Sequence, residues 1–363
     1  MQVHLVRPDE LRPAEIAAWH AMQRATPSLA NPFLSPEFAV AVGRFRSGAQ
    51  VAILTEGQSI TGFFPFQRRR LGVGLPICGW LTPCQGLIHA PGAGWDPREL
   101  LRGCRLSAWR FDNLIIGQRP FKAYHSAIAA APVIDLSGGF AAYYAKLQAK
   151  SPNFCRELAR RARKLAREAG GMRIVADSPD PGALRTLMAW KSQQYRSTSH
   201  VDRFEQPWLV GLFNALLATR GDGASGLLSV LYADDQPIAA QFGLRSADLV
   251  VGWCTGYDPR FRKYSPGLIN LRHMIEEMAA DGIHAIDMGA GAKNYYKETL
   301  KSYDTFVAKG IMTDRSLLGA SHRARVASYR WVASAVHQRP GLDRAADQVL
   351  RRSGVARRMY GRT

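Results

Sequence analysis

Residues 227–254 read LLSVLYADDQPIAAQFGLRSADLVVGWC, and this stretch decides the fold. Three apolar runs, Leu227 to Tyr232, Ile238 to Leu244 and Leu249 to Cys254, are parted by Asp234-Asp235-Gln236-Pro237 and by Ser246-Ala247-Asp248. Short runs bounded by turn-forming residues are strands, and connections this brief join only antiparallel neighbours. The stretch therefore predicts a three-stranded meander.

Upstream of the meander, Leu158, Ala162, Leu165 and Ala169 recur at three- and four-residue spacing between Ser151-Pro152-Asn153 and Gly170-Gly171, which reads as a capped amphipathic helix. Its other face holds Arg156, Arg160, Arg161, Arg163, Lys164 and Arg167, either a solvated face or one that meets phosphate. A strand at Met172 to Val175 follows, then helices at Leu184 to Tyr195 and Trp208 to Leu217. Downstream come a helix from Gly267 to Ala280, a strand from Ile283 to Met288, a short helix through Tyr296 and a strand from Thr305 to Ile311. The order is β-α-α-β-β-β-α-β-α-β. A weaker version runs through the first half: a strand at Val3 to Val6, a helix carrying Leu11, Ile16, Trp19 and Met22, a second helix, a hairpin of Val51 to Leu54 with Ile60 to Phe66, a short helix near Leu100, and strands at Asn113 to Ile116 and Val133 to Leu136. Gly72 to Gly94 shows little periodicity.

The chain has 363 residues and a net charge of +19, which suits two compact units plus a tail and an anionic partner. Residues 315–363 hold eleven Arg, no Lys and the acids Asp343 and Asp347, a local net of +9. Five dispersed cysteines lack the paired spacing of disulfide frameworks or zinc sites and read as reduced core thiols. The N-terminus resembles no signal peptide and no run of 18 apolar residues occurs, so a cytoplasmic protein is expected. Zinc-hydrolase, serine-hydrolase and P-loop motifs are absent from the sequence.

Several separated blocks, Trp190-Lys191-Ser192-Gln193-Gln194-Tyr195, Pro237-Ile238-Ala239-Ala240, Gly256-Tyr257-Asp258, Tyr264-Ser265-Pro266-Gly267 and Asp287-Met288-Gly289-Ala290-Gly291 running into Tyr296-Lys297, resemble the CelD/BcsL family of GNAT acetyltransferases. Their order and spacing match along with the letters, and Asn31-Pro32-Phe33 extends the likeness weakly into the first half. FemAB-like transferases are wider relatives. The resemblance implies a tandem GNAT-like α/β protein: a degenerate unit over 1–140, the acyltransferase unit over 141–312, and a basic helical tail over 313–363.

It also implies acetyl-CoA, or another acyl-CoA, as donor and an amine on a small molecule or glycan as acceptor, an amino sugar or envelope polysaccharide precursor. No metal is required. The helix starting near Gly267 would point its N-terminus at the donor pyrophosphate, with Arg262, Lys263, Tyr264, Ser265, Gly267 and Lys297 around it. Pro266 supplies no N–H, and Ser265 as N-cap with Pro266 first in the helix also describes a plain helix start. Asp287 is the expected base, although an Asp-x-Gly at a strand end is equally a turn; Tyr296 is the expected acid, with Tyr295 its competitor. Trp190, Lys191, Tyr195, Gly289 and Gly291 would line the acceptor side. Two other readings stay open: aminoacyl transfer from aminoacyl-tRNA, which the +19 charge suits, and a non-catalytic scaffold in a polysaccharide synthesis complex. In the tail, Leu317, Leu318, Val326, Trp331, Val332 and Val336 among arginines read as an amphipathic helix. It would cap the domain, with attachment to the anionic inner face of the membrane as an added role.

Overall fold

The computed structural model describes residues 1–198, 200–221, 223–291, 295–316 and 319–322. Apart from residues 319–322, the amphipathic helix expected of the tail, from Leu317 through Val336, and the basic residues after it lie outside the described residues.

The first half runs β1 (Gln2–Val6), α1 (Pro13–Ala25), α2 (Pro36–Gly43), β2 (Ala49–Glu56), β3 (Ser59–Arg68), β4 (Val73–Pro76), β5 (Ile88–His89), α3 (Pro97–Gly103), β6 (Ala108–Ile115) and β7 (His125–Asp135). The second runs α4 (Gly139–Lys150), α5 (Pro152–Glu168), β8 (Met172–Val175), α6 (Pro181–Ser197), α7 (Pro207–Ala218), β9 (Ser225–Ala233), β10 (Gln236–Arg245), β11 (Leu249–Tyr257), α8 (Pro266–Ala280), β12 (Ala285–Asp287), α9 (Tyr295–Leu300) and β13 (Tyr303–Thr313). From β8 onward the order is the one the sequence predicts. β4 and β5 lie in the stretch without periodicity, and β7 begins eight residues before the strand expected at Val133.

Local chemistry accounts for the boundaries. Asp180 accepts from the N–H groups of Gly182 and Ala183 at 2.7 and 3.1 Å, and Pro181 presets the first turn of α6. The β9–β10 turn places Asp234 and Asp235 both at positive φ, 46° and 60°, a backbone shape whose twist matches the strands it joins.

Among the described residues thirteen strands join one sheet, in the order β1-β2-β3-β4-β6-β13-β7-β12-β11-β10-β9-β8, with β5 on the side of β3. The centre of this order shows a reciprocal exchange. β7, the last strand of the first half, lies against β12 of the second; β13, the last strand of the second half, lies against β6 of the first. The two exchanged strands also pair with each other, from Tyr303↔Val133 to Gly310↔His125.

One face of the sheet carries α1 and α2 from the first half and α6 and α7 from the second, which share one core. Trp19, fully buried, stacks on Phe63 at 4.7 Å between centroids, and Phe213 packs on Phe242 at 5.0 Å. Burying each such ring contributes on the order of 1.5–3 kcal/mol. Ile134, Ile286, Met274 and Leu300 form a second cluster on the opposite face, beneath α4, α8 and α9. The five cysteines are buried and unpaired with one another, and burial pushes the thiols of Cys78, Cys104 and Cys254 up to about 12. Among the described residues no helix is long and apolar enough to cross a membrane.

Candidate functional site

Strands β11 and β12 run parallel for only three pairs, from Leu249↔Ala285 to Val251↔Asp287. Beyond Val251, β11 continues to Tyr257 along β10, while the other chain leaves the sheet through Met288 and Gly289. The two backbones thus open into a wedge whose apex is Gly252 and Asp287. Two glycines keep the wedge narrow: a Cβ on Gly252 would sit 3.8 Å from the Asp287 carbonyl oxygen, and one on Gly289, whose φ is +74°, would sit 4.0 Å from the Gly252 carbonyl oxygen.

The strand on the near side of the wedge is irregular where this matters. Gly243 pairs with Gly252 and Phe242 with Cys254, so Trp253 is an extra residue with no partner on β10. Such a bulge interrupts the ladder and turns main-chain groups away from it. The Trp253 indole is held from both halves, stacked on Phe213 at 4.6 Å, edge-on to Phe33 at 5.0 Å, and donating its N–H to the Leu81 carbonyl at 2.8 Å.

Asp287 stands at the apex. In register it belongs to the row Val251, Asp287, Val133, Tyr303, so its side chain shares the α6/α7 face with the Tyr303 ring. Its Oδ1 accepts from the Gly289 N–H at 2.7 Å. Burial holds the carboxyl above its ordinary range, against the opposing pull of that N–H and of Lys297. Cys84, from the first half, is close enough that the Asp287 charge adds to the effect of burial in raising its thiol.

Lys297, on α9, donates to the carbonyls of Met288 and Gly289 at 2.6 and 2.9 Å, fixing the loop that carries Gly289. Burial lowers its ammonium, with Asp287 acting the other way. Tyr296 is half-buried against the α8 cluster and burial raises its hydroxyl, whereas Tyr295 is 79% exposed. Gly291 is exposed, and no described residue comes within 4 Å of a Cβ placed on it.

On the other side of the wedge lies the start of α8, reached through a 3-10 turn, Pro259–Tyr264. Ser265 takes the N-cap position but in the left-handed region, φ 57°, and its hydroxyl makes no cap bond to the helix. That hydroxyl accepts instead from Arg161 of α5. A Cβ on Gly267 would meet only the Tyr257 ring, at 3.8 Å. Tyr264 is buried with its hydroxyl on Glu168, and Lys263 lies 3.6 Å from the same carboxylate, while the Arg262 carbonyl accepts the Ser265 N–H at 3.1 Å. The backbone of Gly256, on β11, lies against Trp190 of α6, whose Cβ a Cβ on Gly256 would approach to 3.3 Å. The Lys191 ammonium reaches Gln194 Oε1 at 2.7 Å and sits 5.2 Å from the Tyr195 ring centre.

The candidate residues thus fall into two groups around one wedge, Asp287, Gly289, Tyr296 and Lys297 on the β12 side and residues 262–267 at the head of α8, with Trp190, Lys191 and Tyr195 on the α6 side of β11. The sequence marks neither the Trp253 side chain nor Tyr303 nor Leu81 for the site, and it offers Arg161 only as one of six basic residues on a face that is either solvated or meets phosphate. Strand lengths carry no sign of a bulge, and Leu81 and Tyr303 reach the wedge only through the exchanged sheet.

Residues 153–298 match the model of an acetyltransferase (GNAT) domain, a segment that contains both sides of the wedge. Among solved structures, FemX aligns with 86% of this chain and 96% of its own at 11% identity and a TM-score of 0.55. The C-terminal domain (DUF2156) of a putative lysylphosphatidylglycerol synthetase from Agrobacterium fabrum aligns with 85% and 96% at 10% identity and 0.52. A tandem GNAT protein from the clavulanic acid biosynthesis pathway aligns with 86% and 98% at 13% identity and 0.47. No curated protein matches the sequence significantly. The chain therefore has a mixed α/β fold like that of FemX, and its residues 153–298 resemble an acetyltransferase (GNAT) domain.

Proposed function

We propose that the chain transfers an acyl group, acetyl in the first instance, from acyl-CoA to an amine on an amino sugar or envelope polysaccharide precursor, in the manner of the CelD/BcsL family it resembles. The observation that carries this reading is the wedge itself: a strand interrupted at Trp253, parted from a neighbour that ends on a half-buried carboxylate. The room left at Gly267 and, among the described residues, at Gly291 suits an extended thioester arm laid against backbone.

In this reading the Gly267 N–H, with Arg262 and Lys263, faces the donor phosphates. A main-chain N–H of the Gly252 to Cys254 segment polarises the thioester carbonyl. Asp287, kept more basic than an ordinary carboxylate by burial, takes the proton of the attacking amine, and the Tyr296 hydroxyl returns one to the departing thiolate. Lys297 holds the Met288 and Gly289 carbonyls in place, so the Gly289 N–H stays on Asp287. Residues 141–312 carry the chemistry, and residues 1–140 wall the acceptor side through Leu81 and Cys84. The basic tail is the proposed contact with an anionic membrane surface.

Native mass spectrometry of the purified chain with acetyl-CoA tests the reading. Retention of the thioester, and a rise in melting temperature equivalent to roughly 2.7 kcal/mol at about 100 times the dissociation constant, is expected. Aminoacyl-tRNA as donor is the second reading. One feature favours it: α8 begins with Pro266, which leaves its first turn poorer in N–H donors than a pyrophosphate cradle needs. Salt-sensitive tRNA binding with no response to acetyl-CoA would establish it instead.

A further inference from the structure

The head of α8 is short of donors for a phosphate. Pro266 has none, the Ser265 N–H goes to the Arg262 carbonyl at 3.1 Å, and those of Leu268 and Ile269 go to the Ser265 carbonyl at 3.0 and 3.2 Å. Among the described residues that leaves the N–H of Gly267 in this first turn. A diphosphate carries more charge than one N–H and a helix dipole can match.

A neighbouring helix supplies what is missing. Arg161 projects from α5 onto the turn: its Nη1 donates to the Ser265 hydroxyl, and its Nε donates to Glu157 Oε1 at 2.7 Å. Two of its five N–H donors are so engaged, which fixes the plane of the guanidinium and leaves an edge for an anion. The same helix grips the other side of the turn, where Glu168 accepts from Tyr264 and faces Lys263. Arg161 differs from Arg156, Arg160, Arg163 and Arg167, which are exposed along the outer ridge of α5; its own side chain is 37% exposed. Ser265, in the left-handed region and with no cap bond to α8, accepts at its hydroxyl oxygen from Arg161.

We propose that Arg161 is a phosphate ligand of the donor site, its guanidinium binding the diphosphate of the acyl donor where Pro266 has removed a backbone N–H. This rests on the acyl-CoA reading of the wedge. It narrows the donor to one carrying a diphosphate and makes that contact a planar, two-pronged one, which a lysine does not reproduce.

The test compares two thioesters on the full chain: acetyl-CoA, and S-acetylpantetheine, which lacks the diphosphate. In Arg161→Gln the dissociation constant for acetyl-CoA is expected to rise roughly 10- to 100-fold, as for the loss of charged hydrogen bonds, with that for S-acetylpantetheine unchanged. Arg161→Lys, which keeps the charge and serves should the Gln variant melt early, is expected to lose acetyl-CoA affinity by a smaller factor and again none for S-acetylpantetheine. Equal losses for the two ligands would make Arg161 a prop for the turn and overturn the proposal; so would unchanged acetyl-CoA affinity. A parent protein that binds S-acetylpantetheine and acetyl-CoA equally well overturns the diphosphate contact alone, whereas one that binds neither removes the acyl-CoA reading beneath it.

Discussion

Trp253 donates its indole N–H to the carbonyl of Leu81, 172 positions earlier in the chain, at 2.8 Å. The residue that interrupts β11 is thereby fastened to the first half, so the shape of the wedge depends on both halves. Trp253→Phe keeps an aromatic ring against Phe213 and Phe33 but leaves the Leu81 carbonyl without its donor. Stability is expected to fall by about 1–2 kcal/mol, read as a lower urea midpoint with an unchanged slope. Turnover should fall further than that loss of folded protein explains, since the unpaired stretch of β11 loses its anchor.

Asp287→Asn preserves shape and removes the proton acceptor. Turnover at neutral pH is expected to drop by about 100- to 10,000-fold with donor affinity unaltered. In the parent, the rate should climb with pH through a value above the usual carboxylate range, because burial raises this carboxyl and the base works ionised; the Asn variant should lack that limb. Stability moves the other way. A carboxyl raised in the folded state favours folding below its unfolded pKa, and that benefit is lost as pH rises through the folded value. The Asn variant should therefore unfold no earlier than the parent at pH 7. A near-parental rate in this variant would reduce Asp287 to the turn it makes with Gly289.

Gly267→Val probes the head of α8. Among the described residues the close neighbour of a new Cβ is the Tyr257 ring at 3.8 Å, an ordinary contact, so the melting temperature should shift by no more than a few degrees. The branched side chain would nonetheless fill the space against which the donor phosphates are proposed to lie. Calorimetric titration should show weaker acetyl-CoA binding, and equal affinity would move the donor away from this turn.

Tyr295 and Tyr296 are adjacent in sequence and opposite in setting, the first 79% exposed, the second half-buried with its hydroxyl raised by burial. Tyr296→Phe is expected to slow turnover by about 100-fold or more if its hydroxyl protonates the thiolate, and to flatten the alkaline side of the pH profile. Tyr295→Phe should stay within a few-fold of the parent. A reversed pattern would exchange their roles.

The second half was legible because its elements are long and periodic. Leu158, Leu165, Leu271, Ile275 and Met278 mark helix faces, and the three runs of the meander are bounded by turns. The middle of the first half was not. β4 and β5 have four and two residues and exist because β3 and β6 lie beside them, which local pattern does not encode. β7 opens with His125-Ser126-Ala127-Ile128-Ala129-Ala130, a run with little alternation, since exposure there extends to both sides of the strand. For the candidate site, Asp287 and the residues of α8 were visible as a strand end and a helix start. The bulge at Trp253 arises from a register shift between β10 and β11, and the approach of Leu81 to Trp253 and the hold of Arg161 on Ser265 join residues 172 and 104 positions apart; no spacing announces them.

The exchanged strands have a consequence for how the molecule comes into being. As a ribosome delivers the chain, β6 is exposed with its neighbour still unmade, and β7 is complete long before β12, the partner against which it will rest. The gap beside β6 closes only when residues 303–313 emerge. Until then the nascent first half presents an unsatisfied strand edge, open to any other extended segment in the cell.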